Sequence, residues 1–141
     1  MPKKKVFILD SPALFNNENF SFEPGNLYFT TSEVFAEWRD MRSRMLAENA
    51  FSQGLLSIQD PCGISVEKTI AKSSGLSRCL SRADISLIAL ASEFLARGQG
   101  FIVLTDDYAV QNILSRMGAP FRGVAHREIK SRKAGAAGKQ G

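Results

Sequence analysis

Phe101–Tyr108 reads FIVLTDDY: four apolar residues run without interruption into a hydroxyl and two acids. An unbroken apolar run of this length marks a strand covered on both faces, as in a parallel sheet with helices on either side. Tyr108–Met117 (YAVQNILSRM) then has helical periodicity and stops at Gly118. The unit is therefore strand, acidic turn, helix, and it recurs along the chain. Lys5–Leu9 (KVFIL) ends at Asp10, and Ser11 and Pro12 follow where a helix can begin with proline at its first position. Leu27–Thr30 reads as a second strand. From Thr31 onward Val34, Phe35, Trp38, Met41, Met45 and Leu46 mark one helical face, with Glu33 in the first turn. Gly54 precedes a third strand, Leu55–Ile58, and Val66–Lys72 is helical up to Gly75. The best helix follows Ser81, carrying Ile85, Ile88, Ala89, Ala91, Ser92 and Leu95 on one face, with Asp84 in its first turn and Gly98 at its end. After the turn Gly118–Pro120, Phe121–Val124 reads as an edge strand. The alternation predicts an α/β domain of three layers, with a parallel sheet of four to five strands between helices.

The chain has 141 residues, 44% of them hydrophobic and 23% charged, which is the size and composition of one globular domain. No uncharged stretch approaches the roughly 20 residues that cross a bilayer. The basic start MPKKK leads into only four apolar residues before Asp10, so no secretory signal is expected and the expected compartment is the cytoplasm. Charge is unevenly divided. Residues 122–141 hold six of the Lys and Arg residues and one acid, whereas the rest of the chain is nearly neutral. The expected organisation is a domain over residues 1–124 and a flexible basic tail over 125–141. That tail suits an anionic partner, nucleic acid before membrane, because it has no apolar helical face to insert; the alternative is a solubilising terminus. Arg127, Lys130, Arg132 and Lys133 are its candidate phosphate-contacting residues.

Asp10, Glu33, Asp84, Asp106 and Asp107 each fall at a strand end or in the first turn of a helix. In a parallel sheet those positions converge, and open α/β sheets bind ligands there, near the point where strand order reverses. Carboxylates crowded into one crevice repel unless cations enter. Oxygen ligands without His or Cys favour Mg²⁺ or Mn²⁺ over zinc. The competing reading is that every one of these acids is a helix cap, since acids favour helix N-termini. Thr30-x-x-Glu33 and Ser81-x-x-Asp84 both have the spacing of capping boxes.

Other motifs carry less. Neither a GxGxxG nor a GxxxxGK[ST] loop is present. Cys62 and Cys79 have no CxxC spacing, and His126 is the single histidine, so the cysteines read as small apolar groups rather than as nucleophiles or zinc ligands. Most of the aromatic residues fall at core spacing. Phe20 and Phe22, in a loop, are candidates for stacking on bases.

Taken in order, VFILDSPALF, TTSEV, LSRADISLIALA and VLTDDYAVQNI resemble the PIN-domain ribonucleases, most closely the Nob-type endonucleases of small-subunit ribosome maturation. The resemblance covers about residues 5 to 124. It implies a PIN-like parallel sheet between helices and a metal-dependent endoribonuclease, with Asp10, Glu33 and Asp84 as metal-site acids and Asp106 or Asp107 supplying the last position. It also matches Thr105 to the small hydroxyl residue that precedes the family's final acid. The implied cofactor is Mg²⁺ or Mn²⁺. The implied partners are pre-ribosomal small-subunit RNA and ribosome-assembly proteins, with no membrane. Nob-type proteins also carry a zinc ribbon, and this sequence contains no CxxC. A toxin-type (VapC-like) PIN ribonuclease is therefore the runner-up, and a non-catalytic RNA-binding assembly module is a third reading. A phospho-acceptor receiver domain expects adjacent acids after the first strand, where this chain has Ser11 and Pro12.

Overall fold

A computed structural model describes residues 4–10, 20–73 and 80–124. The elements are β1 (Lys5–Leu9), β2 (Asn26–Thr30), α1 (Ser32–Phe35), α2 (Met41–Ser52), β3 (Leu56–Ile58), α3 (Gly63–Lys72), α4 (Arg82–Ala96), β4 (Ile102–Leu104), α5 (Tyr108–Met117) and β5 (Phe121–Arg122). The five strands form one sheet in the order β3-β2-β1-β4-β5. Every pairing is parallel. The expected α/β architecture is thus present, with β1 and β4 at its centre. Ile8, Leu9, Val103 and Leu104 are all buried, as strands covered on both faces must be.

The chain lays β2 and β3 to one side of β1, then returns to place β4 and β5 on the other. The strand order therefore reverses between β1 and β4. Leu9 lies opposite Leu104 in the ladder, and the Asp10 amide continues it by donating to the Leu104 carbonyl at 3.1 Å. Asp10 and Thr105 consequently emerge side by side at the reversal.

The helix expected from Thr31 to Leu46 is two helices. Asp40 caps α2 by accepting from the Ser43 amide at 2.9 Å, so the local cap competes successfully with continuation of α1. Trp38, between the two helices, turns fully inward. The phase of α2 is then set by Ser43, Ala47 and Ala50, which are buried, while Met41 and Met45 are 75% and 63% exposed. The expected Met41–Met45–Leu46 core face is overturned. Gly118 ends α5 as expected, in the left-handed conformation at φ 76° that favours glycine. Helix α3 starts at Gly63 rather than Val66, and β5 is shorter than expected.

Phe20 and Phe22 pack edge-on against Tyr28, with ring centroids 6.1 and 4.9 Å away, so they serve the core rather than a base-stacking loop. Cys62 is exposed at the N-cap of α3, not packed as a small apolar group. The helix expected from Pro12, Gly75, Cys79, His126 and the tail residues Arg127, Lys130, Arg132 and Lys133 lie outside the described residues. No helix among those described is long and apolar enough to cross a membrane.

Candidate active site

Asp10 is the centre of the site. Only 4% of its surface is exposed, and the Thr105 hydroxyl donates to Oδ2 at 2.5 Å. The same hydroxyl oxygen accepts from the Asp107 amide at 3.1 Å, so one side chain fixes both the first acid and the turn carrying the last. Thr105 is itself held by Gln111, whose side-chain amide donates to its carbonyl at 2.9 Å. Its amide donates to Arg122 of β5 at 3.1 Å. The Trp38 indole N–H donates to the Asp10 carbonyl at 3.2 Å and ties the α1–α2 junction to the end of β1. The supporting role expected of Thr105 has a direct geometric basis, whereas Gln111 and Trp38 carried no sequence signal beyond helical spacing.

Burial is the largest influence on Asp10 and drives its carboxyl up to about 7; Thr105 opposes this, and Asp84, Asp107 and Glu37 add to it. The Asp84 carboxyl is also raised, first by desolvation, with Asp107 adding to it and the hydrogen bonds from Ser81 opposing. Glu37 is raised by desolvation and by Asp84. Three acids drawn from the α1–α2 junction, α4 and the β4–α5 turn thus act on a fourth that is buried.

Capping and clustering prove compatible. Ser81 and Asp84 form the expected capping box, with Asp84 Oδ2 accepting from the Ser81 amide at 3.0 Å and Ser81 Oγ accepting from the Asp84 amide at 3.0 Å. Asp107 caps α5 through Oδ1, which accepts from Ala109 at 2.8 Å and Val110 at 3.3 Å. Each cap uses one carboxylate oxygen. The other box does not form. Thr31, not Thr30, caps α1 by accepting from Val34, while the Thr30 hydroxyl donates to the Leu9 carbonyl.

The remaining sequence candidates stand differently. Glu33 pairs with Arg82 at 3.2 Å on the surface, and its field falls on Glu37. Asp106 Oδ1 accepts from the Val124 amide at 2.7 Å. Glu37, missed in the sequence, follows Glu33 by four residues, in the turn after α1; in the helix expected there, that i, i+4 spacing was the available signal.

Among the described residues, no three His, Cys, Asp or Glu side chains close around a single point. The donors nevertheless fit a hard divalent cation: all are oxygens, and the Asp10 carboxyl, raised first by burial, is raised further by Asp84, Asp107 and Glu37.

A model of the PIN domain of ribonuclease matches residues 7–94. The chain is 38% identical over 122 residues to endoribonuclease Nob1 of Methanothermobacter thermautotrophicus, covering 83% of this chain and 67% of that protein. It is 32% identical over 127 residues to the Nob1 of Archaeoglobus fulgidus, covering 89% and 72%. A further relative, ribonuclease VapC3 of Aeropyrum pernix, is 32% identical over 117 residues, covering 82% and 83%. With the all-parallel sheet, the reversal at β1 and β4 and the acids gathered there, these likenesses lead to one conclusion: the chain belongs to the PIN-domain family of ribonucleases.

Proposed function

We infer that this protein is a divalent-metal-dependent endoribonuclease that hydrolyses RNA phosphodiester bonds in the 3′-end maturation of small-subunit ribosomal RNA, in the cytoplasm. The observation that carries the chemistry is the buried Asp10, its carboxyl raised by burial and by the charges of Asp84, Asp107 and Glu37. Asp10, Glu37, Asp84 and Asp107 would hold Mg²⁺ or Mn²⁺. When bound, that ion supplies a water of lowered pKa and neutralises charge on the leaving oxygen. The Thr105 hydroxyl orients Asp10, and the caps on α4 and α5 fix Asp84 and Asp107 at the starts of those helices. The N-termini of those helices favour the approach of a phosphate. Arg127, Lys130, Arg132 and Lys133 would neutralise RNA phosphates. The ribosomal assignment and its assembly-protein partners rest on the Nob1 likenesses.

Cleavage of single-stranded RNA by the full chain should require Mg²⁺ or Mn²⁺, and chelation should abolish it without unfolding the protein. Cleavage that persists in excess EDTA overturns the metal reading. A toxin-type ribonuclease is the second reading, favoured by the 83% of the VapC3 relative that this chain spans. Cutting at one position of a small-subunit rRNA precursor supports the first reading; preference for other cellular RNAs supports the second. Binding without cleavage under every metal condition would leave a non-catalytic RNA-binding module.

A further inference from the structure

A cavity of about 520 Å³ opens beside the acid crevice, between the start of α1, helix α3 and the start of α4. Among the described residues its walls are mostly aliphatic, Pro61, Val66, Ile70, Leu80 and Ile85, with the buried Ser86 hydroxyl engaged by Thr31 and the Ala83 carbonyl. Its rim is polar, formed by Ser32, Glu33, Asp60, Ser81 and Arg82. Two of the lining residues adjoin the site already described. Ser81 is the capping partner of Asp84, and Glu33 acts on Glu37. Ile70 leaves 47% of its surface exposed, an aliphatic wall facing open space.

The rim is partly organised. Asp60 accepts from the Ser32 amide at 2.7 Å and from the Ser32 hydroxyl at 2.6 Å, so its carboxylate is held in place. Glu33 and Arg82 stand together at 3.2 Å and present acceptors beside donors. Two carboxylates on the rim repel a phosphate, and aliphatic walls cannot solvate one. A nucleobase matches both surfaces: its faces are apolar and its edge carries donors and acceptors. The volume lies within the range of small-molecule sites, about 300 to 1,000 Å³.

We propose that this cavity is a nucleobase subsite, receiving a base that flanks the scissile phosphate when single-stranded RNA crosses the acid crevice. The proposal rests on the nuclease reading for its substrate. Glu33 and Asp60 accept from exocyclic amino groups, so guanine, adenine and cytosine bind in preference to uracil, which has none.

The test uses the full chain without metal, titrated with millimolar GMP, AMP, CMP and UMP while the methyl resonances of Val66, Ile70 and Ile85 are followed. The three amino-bearing nucleotides should shift those methyls, and UMP should bind more weakly. Ile70→Glu, at an exposed position, and Ile70→Trp, which fills the slot without adding charge, should each weaken binding about tenfold, within the range for loss of one stacked base. Absence of shifts at these methyls overturns the subsite, and equal binding of UMP overturns the amino preference. With a single-stranded RNA substrate, both variants should raise KM about tenfold, keep kcat, and redistribute the cut positions. Cleavage with wild-type KM and pattern overturns the subsite while leaving the nuclease reading intact. Failure of the wild type to cleave any RNA overturns the nuclease reading, and the nucleotide titration still decides the subsite.

Discussion

Asp10 and Glu37 contribute to one electrostatic field from two different kinds of structure. Asp10 extends a central strand: its backbone continues the β1–β4 ladder, its side chain is bonded to Thr105, and it is buried. Glu37 lies on the exposed turn between two short helices, four residues after a second acid that pairs with Arg82. The comparison shows that sheet pairing places an acid accurately, whereas a helix junction leaves two acids competing for the role. The first is readable from a strand followed by an acid. The second depends on where the chain turns.

The largest effect is expected at the sheet-borne acid. Asp10→Asn should lower RNA cleavage on the order of a thousandfold, comparable with loss of a key electrostatic group elsewhere. It should leave the metal-free fold as stable or more so, because a buried charge disappears while the Thr105 hydroxyl keeps an oxygen to donate to. Cleavage and thermal melting measured on one preparation check this. Unchanged cleavage with a loss of about 0.5 to 2 kcal/mol would make Asp10 a structural cap.

The same residue sets a pH dependence. Its folded-state value of about 7 exceeds the reference value of 3.8, so the native state retains a proton that the unfolded chain releases. The stability that follows is fully present below about pH 3.8 and is lost as pH rises through about 7. The slope between these limits is about 1.4 kcal/mol per pH unit. The melting temperature of the metal-free protein should fall across that interval, Mn²⁺ at neutral pH should restore it, and Asp10→Asn should flatten the profile. A profile in Asp10→Asn indistinguishable from that of the wild type would break the account.

Glu37→Gln and Glu33→Gln sharpen the comparison directly. Removing Glu37 should reduce cleavage at saturating RNA by about tenfold to a hundredfold, on the scale of one group removed from a charge-stabilising site. Removing Glu33 should leave kcat nearly unchanged, because it breaks a surface ion pair and a contact at the proposed base subsite, which acts on KM. The reverse order of effects would assign the ion-holding role to Glu33.

Thr105→Val tests stability rather than charge. It preserves shape but leaves Asp10 without its donor and the Asp107 amide without its acceptor, so a loss of about 1 to 3 kcal/mol is expected in denaturant unfolding. No measurable change would mean that water replaces the hydroxyl.

Much of the architecture was legible because its causes are local. Apolar runs at 6–9 and 101–104 can be satisfied only by burial, and the acids that follow the second mark the start of α5; both patterns are visible within ten residues. The Ser81–Asp84 box formed as its spacing required. The division at Asp40 was less visible, because the methionines continued a helical period that the cap interrupted.

The sequence by itself determined the apolar strands, their parallel assembly, and the placing of Asp10 and the Asp106–Asp107 pair after β1 and β4, with Asp84 in the first turn of α4. Those features follow from hydrophobic burial and capping, which act along a few adjacent residues. Only the tertiary structure separated Asp107, which acts on Asp10, from Asp106, which holds Val124, and only it brought Glu37 into the field while pairing Glu33 with Arg82. The physical reason is that Coulomb and desolvation energies depend on distance and burial, and for residues far apart in the chain both are set by strand order and helix packing rather than by sequence spacing.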